Sequence, residues 1–387
     1  MLSPNIVSIN SGYYIFYYGV CKLLLSCLIG HAIIMIIYQE DHMTRTIHIP
    51  KPIDCHIHLR DNPYLARTVV DAEQSFSSVI VMPNTIPPII TIDDALAYKK
   101  RLQSFRKRHT LNMKMALYLH ERTTESLIQA ASISEDIIGF KLYPKGATTN
   151  ADEGVNKIVD FYPLFAAMEA YQVPLLIHPE DHHPDTDIFD RERVFIDQYL
   201  LPIHQRFPQL RITLEHVTTQ EGIDFVTSAP PHIGATITAH HLWINRNDVI
   251  NTKIHPHHFC LPIAKRRRHQ EALIRAATSG NPQFFLGTDS APHSKGQKEQ
   301  ACGCAGIYTA PYALALYAEI FAQAGAVDQL AAFSTHNAAA FYGLPVSDTL
   351  LTLEETPQLV VDTLEFGKEI VVPFKAGQQL AWSVKTS

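Results

Sequence analysis

The stretch Ile53-Asp54-Cys55-His56-Ile57-His58-Leu59-Arg60 is a short β-branched and apolar run that ends in chemistry. In an extended strand, residues two apart share a face, so His56 and His58 project together from the strand end. One His-x-His pair also fits two histidines that simply hydrogen-bond to their neighbours. Seven more runs of this kind follow, at residues 78–83, 113–120, 138–143, 174–178, 212–217, 233–238 and 284–288. Longer segments of helical period separate them, the pattern of repeated βα units around a parallel sheet. Eight strands so arranged predict an α/β fold, a closed (β/α)8 TIM barrel, whose chemistry gathers at the C-terminal ends of the strands.

Amphipathic helices are expected over residues 93–108, with an Asp cap, and over 155–171, 190–207 and 312–324. The seventh crossover, residues 240–273, is long and rich in His, Asn and Pro, which predicts a loop over the barrel mouth. Residues 350–387 read as a strand-rich tail around 370–374 and 380–384. Hydrophobic residues at 46% and charged residues at 18% describe a globular chain with ample core. The net charge of −6 offers no surface for a nucleic-acid backbone, and the one basic run, Lys265-Arg266-Arg267-Arg268, reads as the start of a solvated helix. Six cysteines without the spacing of a disulfide framework indicate a reducing compartment, hence a cytoplasmic protein. Cys302-x-Cys304 lacks the second pair that a four-ligand structural metal site needs. Of the 21 histidines, His182, His183, His255, His257 and His258 stand among Pro and Asp in apparent loops, where solvated roles are expected.

Residues 13–38 are strongly apolar but broken by Lys22, Ser26 and His31. The stretch 23–37 is shorter than the roughly 20 residues that span a bilayer, and neither a basic region nor a small-x-small cleavage site flanks it. The expectation is that translation begins at Met43, that residues 1–42 are an extension outside the catalytic fold, and that residues 43–387 form the barrel and its tail. A membrane anchor or docking helix is the competing reading.

The strand ends carry an unusually uniform set of side chains: Asp54, His56, His58 and Arg60 on the first strand, Lys141 on the fourth, His178 on the fifth, His216 on the sixth and Asp289 on the eighth. Convergence of His178, His216 and Asp289 on the His56/His58 rim outweighs the local hydrogen-bonding reading. Imidazole and carboxylate suit zinc and related first-row ions. Lys141 is the odd member, since an ammonium is a poor ligand and costly to bury.

Together these residues resemble the dihydroorotases, particularly the shorter bacterial type, within the metal-dependent amidohydrolases. The matching strings are Asp54-Cys55-His56-Ile57-His58-Leu59-Arg60-Asp61, Val81-Met82-Pro83-Asn84, Lys141-Leu142-Tyr143-Pro144, Leu176-Ile177-His178, Leu214-Glu215-His216, Gly287-Thr288-Asp289-Ser290-Ala291-Pro292-His293 and Cys302-Gly303-Cys304-Ala305-Gly306. The resemblance covers residues 43 to 387. It implies two zinc ions per subunit, His56, His58 and Asp289 on one, His178 and His216 on the other, with N6-carboxylated Lys141 and a hydroxide bridging them. It further implies that Asp289 is the catalytic acid-base and that the substrate is N-carbamoyl-L-aspartate or, in reverse, L-dihydroorotate. Arg60, with Asn84 and His293, would clamp the spectator carboxylate, and backbone groups of Leu261 and Ala305 would meet the ring. Thr148 and Thr149 lie in the small, polar segment 146–150, which has the make-up of a loop that closes over substrate. A homodimer is the family expectation. The alternatives are another cyclic amidohydrolase, of the hydantoinase or allantoinase type, and a non-catalytic dihydroorotase-like assembly partner. Two departures from the family pattern, His178-Pro179-Glu180 and Ala239-His240-His241, touch the pocket without altering a proposed ligand.

Overall fold

The computed structural model describes residues 44–385 and contains the eight expected strands: β1 (Ile53–Ile57), β2 (Ser78–Val81), β3 (Asn112–Tyr118), β4 (Ile137–Leu142), β5 (Leu175–Ile177), β6 (Ile212–Leu214), β7 (Ile233–Ile237) and β8 (Phe284–Leu286). They pair in parallel in sequence order. Each strand end is shorter than the sequence suggests because the last residues leave the ladder to form the site. The ring closes at the mouth, where the Asp289 N–H donates to the His56 carbonyl at 2.8 Å and the His58 N–H to that of Ser290 at 3.1 Å. The extension expected over residues 1–42 lies outside the described residues.

Strands buried on both faces are apolar throughout, and alternation here separates two cores. Ile80, Ala116, Leu176 and Phe285 pack inside the barrel, whereas their neighbours Val79, Val81, Leu117, Leu175, Ile177, Phe284 and Leu286 pack outward against the helices. β1 changes sides. Ile53 and Cys55 join the inner cluster, Ile57 and Leu59 the outer one, and the register shifts between Asp54 and Ile57. This bulge re-aims the strand so that His56 and His58 face the mouth rather than the helices.

The helices follow the expected periods with three corrections. The second helix, Ile92–Gln103, is capped by Thr91 in a box with Asp94, not by Asp93. The segment expected as one helix over 155–171 is a 3-10 turn at Ile158–Phe161 followed by Tyr162–Ala170, where a proline sits in the first turn. The one over 190–207 contains a π turn at Ile196–Leu200 just before Pro202. Lys265 is not part of a solvated run; it is buried, donates to the Ile263 carbonyl and lies 3.8 Å from Glu180. The tail strand Leu350–Glu354 pairs with both Ser383–Val384 and Thr46–Pro50, so the two ends of the described chain share a small sheet.

Candidate metal centre

At the mouth, His56 Nε2 and His58 Nε2 lie 3.2 Å apart, and Asp289 Oδ1 stands 3.3 Å and 3.0 Å from them. The His216 ring is 5.0 Å from that of His56 and 4.7 Å from that of His178, so it links the two halves of the set. Lys141 Nζ contacts Glu215 Oε2, and both side chains are fully buried. The structure therefore brings His56, His58, Lys141, His178, His216 and Asp289 together from five strands.

Three residues reach the mouth through left-handed backbone: Arg60 at φ 62°, His216 at φ 43° and Asp289 at φ 44°. Such conformations cost about 1–3 kcal/mol each outside glycine and persist where the surroundings enforce them. For His216 the reason is visible in β6. Ile212 and Leu214 face outward, so Glu215 inherits the inward direction and His216 enters only because the chain turns left-handed after it. Arg60 likewise lies past the end of β1, so strand alternation does not place it. Its Nε donates to the Pro292 carbonyl at 2.9 Å and its Nη2 lies 3.0 Å from His293 Nε2. Asp61 pairs with Arg101 at 2.7 Å instead.

Burial sets the protonation states. It lowers the pKa of His58 to about 4, lowers that of His56 and takes His216 well below the imidazole range. Burial also lowers His178, against the pull of Glu180, whose Oε2 lies 3.0 Å from its Nε2. All four are thereby neutral imidazoles, the form that ligates metals. Burial alone would raise the Asp289 carboxyl, but His56 and His58 beside it hold it well below the usual range. Lys141 is driven well below the usual ammonium value by burial, with Asp289 opposing.

The donor set fits metal binding. The ligand atoms of His56, His58 and Asp289, and those of His56, Glu215 and His216, each lie within 4.8 Å of one another. Buried atoms without a hydrogen-bond partner gather here: His56 Nδ1, His216 Nδ1 and Glu215 Oε1. His56 Nδ1 and Glu215 Oε1 are 3.0 Å apart but out of line for a hydrogen bond. Free nitrogen lone pairs beside carboxylate are zinc-type chemistry. His240, His241 and Cys260 also cluster; there the His241 Nε2 and the Cys260 thiol both engage the Pro262 carbonyl.

One small, partly open cavity of about 20 Å³ is lined by His58, Arg60, Asn84, Thr148, Thr149, Leu261, Asp289 and Ala305. It opens beside a vestibule of about 360 Å³ that includes His293 and Cys304. A larger groove of about 970 Å³ on the flank, with His120, Arg122 and Lys157, holds none of these groups. The 146–150 loop lies down over the mouth: Asn84 Nδ2 donates to the Thr149 carbonyl at 3.0 Å, Asn150 Nδ2 to the Asn84 carbonyl at 2.9 Å, and Thr149 Oγ1 approaches the Ala305 carbonyl at 3.4 Å.

Sequence reasoning gave no role to the groups behind the front row. Asp54 accepts from the backbone N–H of His56 and from both the N–H and the hydroxyl of Thr288, tying β1 to the end of β8; burial pushes its pKa up to about 6 against those bonds. Glu215 was legible in principle, since Ile212-Thr213-Leu214-Glu215 alternates cleanly. Glu180 had no periodic signal.

Comparison with known proteins agrees with this geometry. Residues 47–379 match the amidohydrolase family. A dihydroorotase of Vibrio vulnificus is 49% identical over 340 residues, covering 88% of this chain and 99% of the relative. The chain belongs to the dihydroorotases. A crystal structure of the Campylobacter jejuni dihydroorotase superposes with a TM-score of 0.82 at 35% identity, covering 89% of this chain and 98% of that one. An L-hydantoinase from Arthrobacter aurescens, at 16% identity and a TM-score of 0.74 over 93% of this chain and 90% of that one, shares the fold alone. This dihydroorotase is a hydrolase acting on cyclic amide bonds. Among the described residues, no helix is long and apolar enough to cross a membrane.

Proposed function

We propose that this dihydroorotase interconverts N-carbamoyl-L-aspartate and L-dihydroorotate, the third step of de novo pyrimidine synthesis, through the residues at the barrel mouth. The carrying observation is the meeting of His58 and Asp289 with Arg60, Asn84, Leu261 and Ala305 around one small cavity at the mouth. Two zinc ions are the cofactor we assign: His56, His58 and Asp289 would hold one, His178 and His216 the other, and Lys141, carboxylated on Nζ, both. When bound, such a pair lowers the pKa of water and polarises the carbonyl that water attacks. A buried, neutral amine at Lys141 is the form that combines with carbon dioxide, which supports its assignment.

Asp289 Oδ1 is the proton carrier: it takes the proton of the attacking water and returns it to the departing ring nitrogen. In the synthetic direction the same oxygen takes a proton from the carbamoyl nitrogen as it attacks the side-chain carboxylate, and passes it to the carboxylate oxygen that departs as hydroxide, so that a C–O bond breaks as the ring C–N bond forms. Arg60 and His293, already 3.0 Å apart, and Asn84 hold the other carboxylate. Backbone groups of Leu261 and Ala305 meet the ring, while Thr148 and Thr149 descend with their loop and exclude water. We assign the working form to a cytoplasmic homodimer whose catalytic unit is residues 43–387, a reading supported by the family match beginning at residue 47.

Turnover of dihydroorotate by the metal-loaded chain, measured beside hydantoin and allantoin, tests the substrate. Asp289→Asn is expected to lower kcat by about 10²–10⁴-fold, the worth of a positioned acid-base group; full activity in that variant would overturn the mechanism.

A further inference from the structure

Lys298 ends the short helix Lys295–Lys298 and is buried. Its ammonium meets three backbone carbonyls, those of Phe259 at 2.7 Å, Cys304 at 2.8 Å and Gly306 at 2.7 Å. An ammonium has three hydrogens, so all three are used, and no carboxylate takes part. The three acceptors come from two chain segments more than forty residues apart in sequence. The segments also touch directly, because the Gly306 N–H donates to the same Phe259 carbonyl at 3.0 Å. On the helix side, the Cys304 N–H donates to the Gln297 carbonyl at 3.0 Å.

The Cys302-Gly303-Cys304-Ala305-Gly306 string gains a physical reason from this contact. A Cβ on Gly303 would stand 2.7 Å from the Lys298 carbonyl, and one on Gly306 would stand 2.4 Å from that of Ala291. Both glycines are needed for the chain to lie this close to the helix end and to the strand-eight loop. Ala305 sits between the two carbonyls that Lys298 holds, and Leu261 lies two residues beyond the third. Both Ala305 and Leu261 line the small cavity at the mouth.

We infer that Lys298 is a positioning residue for substrate, a tripod that locks the Leu261 and Ala305 backbones into one wall against which the ring lies. This rests on the dihydroorotase reading above. The ammonium touches neither the reacting atoms nor any proposed metal ligand, so its loss acts on binding more than on chemistry. Burial lowers its pKa to about 8; Cys260, Cys304 and Arg60 face it, Cys260 and Cys304 favouring the charged form and Arg60 opposing it. His293 and His240, which also feel its charge, are neutral imidazoles and do not titrate near pH 8. Deprotonation removes one leg of the tripod and the charge that holds the other two.

The test uses the full metal-loaded chain with dihydroorotate. Lys298→Met keeps the stem and removes every donor; it is expected to raise KM about tenfold, equivalent to the net worth of one or two hydrogen bonds, with kcat within about threefold. Lys298→Arg keeps the charge but cannot fit three converging carbonyls, and is expected to recover only part of KM. In the unaltered chain, KM should rise above about pH 8 while kcat stays level, and this arm needs no variant to fold. Hydrogen exchange over residues 302–306 should be at least about tenfold faster in Lys298→Met with the rest of the barrel unchanged. An unchanged KM in Lys298→Met, a loss confined to kcat, or a flat KM from pH 7 to 9.5 in the unaltered chain would overturn the inference. Absence of dihydroorotate turnover in the unaltered chain defeats the substrate reading and the binding role with it, and the exchange measurement then decides the tripod alone.

Discussion

Two fully buried glutamates flank the end of β6 and live in opposite conditions. Glu192 accepts four hydrogen bonds, from the backbone N–H groups of Thr218 at 2.8 Å and Thr219 at 2.9 Å and from both hydroxyls. Glu215, three residues before Thr218, has Lys141 on one oxygen and no hydrogen-bond partner on the other. A buried carboxylate is expensive unless its lone pairs are occupied. Glu192 meets that demand within the protein and pins the loop that carries His216. Glu215 does not, and its loose oxygen lies among loose imidazole nitrogens. Glu192 is saturated by the protein alone, whereas Glu215 leaves an acceptor open beside the imidazoles of the proposed metal site.

The difference can be broken from either side. On the mouth side, Lys141→Ala removes the group facing Glu215; turnover is expected to fall about 10³-fold or more, and the metal content of the purified chain, by elemental analysis, to drop from about two per chain. Retained activity with two metals would put Lys141 among ordinary buried lysines. On the wall side, Glu192→Ala leaves four donors without an acceptor and is expected to cost about 3 kcal/mol in denaturant unfolding. At a temperature where it stays folded, its kcat should remain within about threefold of the parent. A variant that keeps its stability but loses activity would erase the distinction between wall and mouth.

The same contrast explains what the sequence could reveal. Strand runs, their order and the recurrence of His, Lys and Asp at their ends are local patterns, and they located the barrel and the six residues that converge. Alternation failed where the backbone leaves the strand: at the Asp54–Ile57 bulge, which is what turns His56 and His58 inward, and at His216, where a left-handed residue reverses the parity. Arg60 reaches the mouth from beyond its strand, through left-handed backbone rather than through strand alternation. Asp54 and Glu192 act through partners far along the chain, 234 positions for Asp54 and Thr288 and 26 for Glu192 and Thr218, while Glu180 and Lys298 have near partners in His178 and Cys304 but reach distant ones in Lys265 and Phe259, and no short window of sequence contains both ends of the distant bonds. The break of the long 190–207 helix into a π turn follows from Pro202, a signal present in the sequence and passed over.

Glu215→Gln sharpens the comparison with a smaller effect. The amide keeps the volume and the contact with Lys141 but withdraws the charge that faces His56 Nδ1. Because an outer carboxylate orients a metal-binding imidazole, metal affinity is expected to weaken about 10–100-fold in competition with a chelator. Stability should change by less than about 1 kcal/mol. The matching change at Glu192 should leave metal affinity untouched.

The smallest expected effect is a pH dependence, and it belongs to Glu192. Burial pushes the Glu192 carboxyl above the ordinary 4.5, with Lys265 and the threonine donors pulling only part of the way back. In the interval between 4.5 and that raised value, the folded chain keeps a proton that the unfolded chain has released. The contribution of Glu192 to stability is therefore fully present below pH 4.5, falls as pH rises through the folded pKa, and is level above it, at about 1.4 kcal/mol for each pH step across the interval. The unfolding free energy of the parent minus that of Glu192→Gln, followed from pH 4 to 8, should decline and then flatten. A difference that climbs with pH would mean the four donors outweigh burial and hold Glu192 ionised, as a carboxylate so fully saturated could be, and would make it the better-satisfied member of the pair by a wider margin than its hydrogen bonds alone indicate.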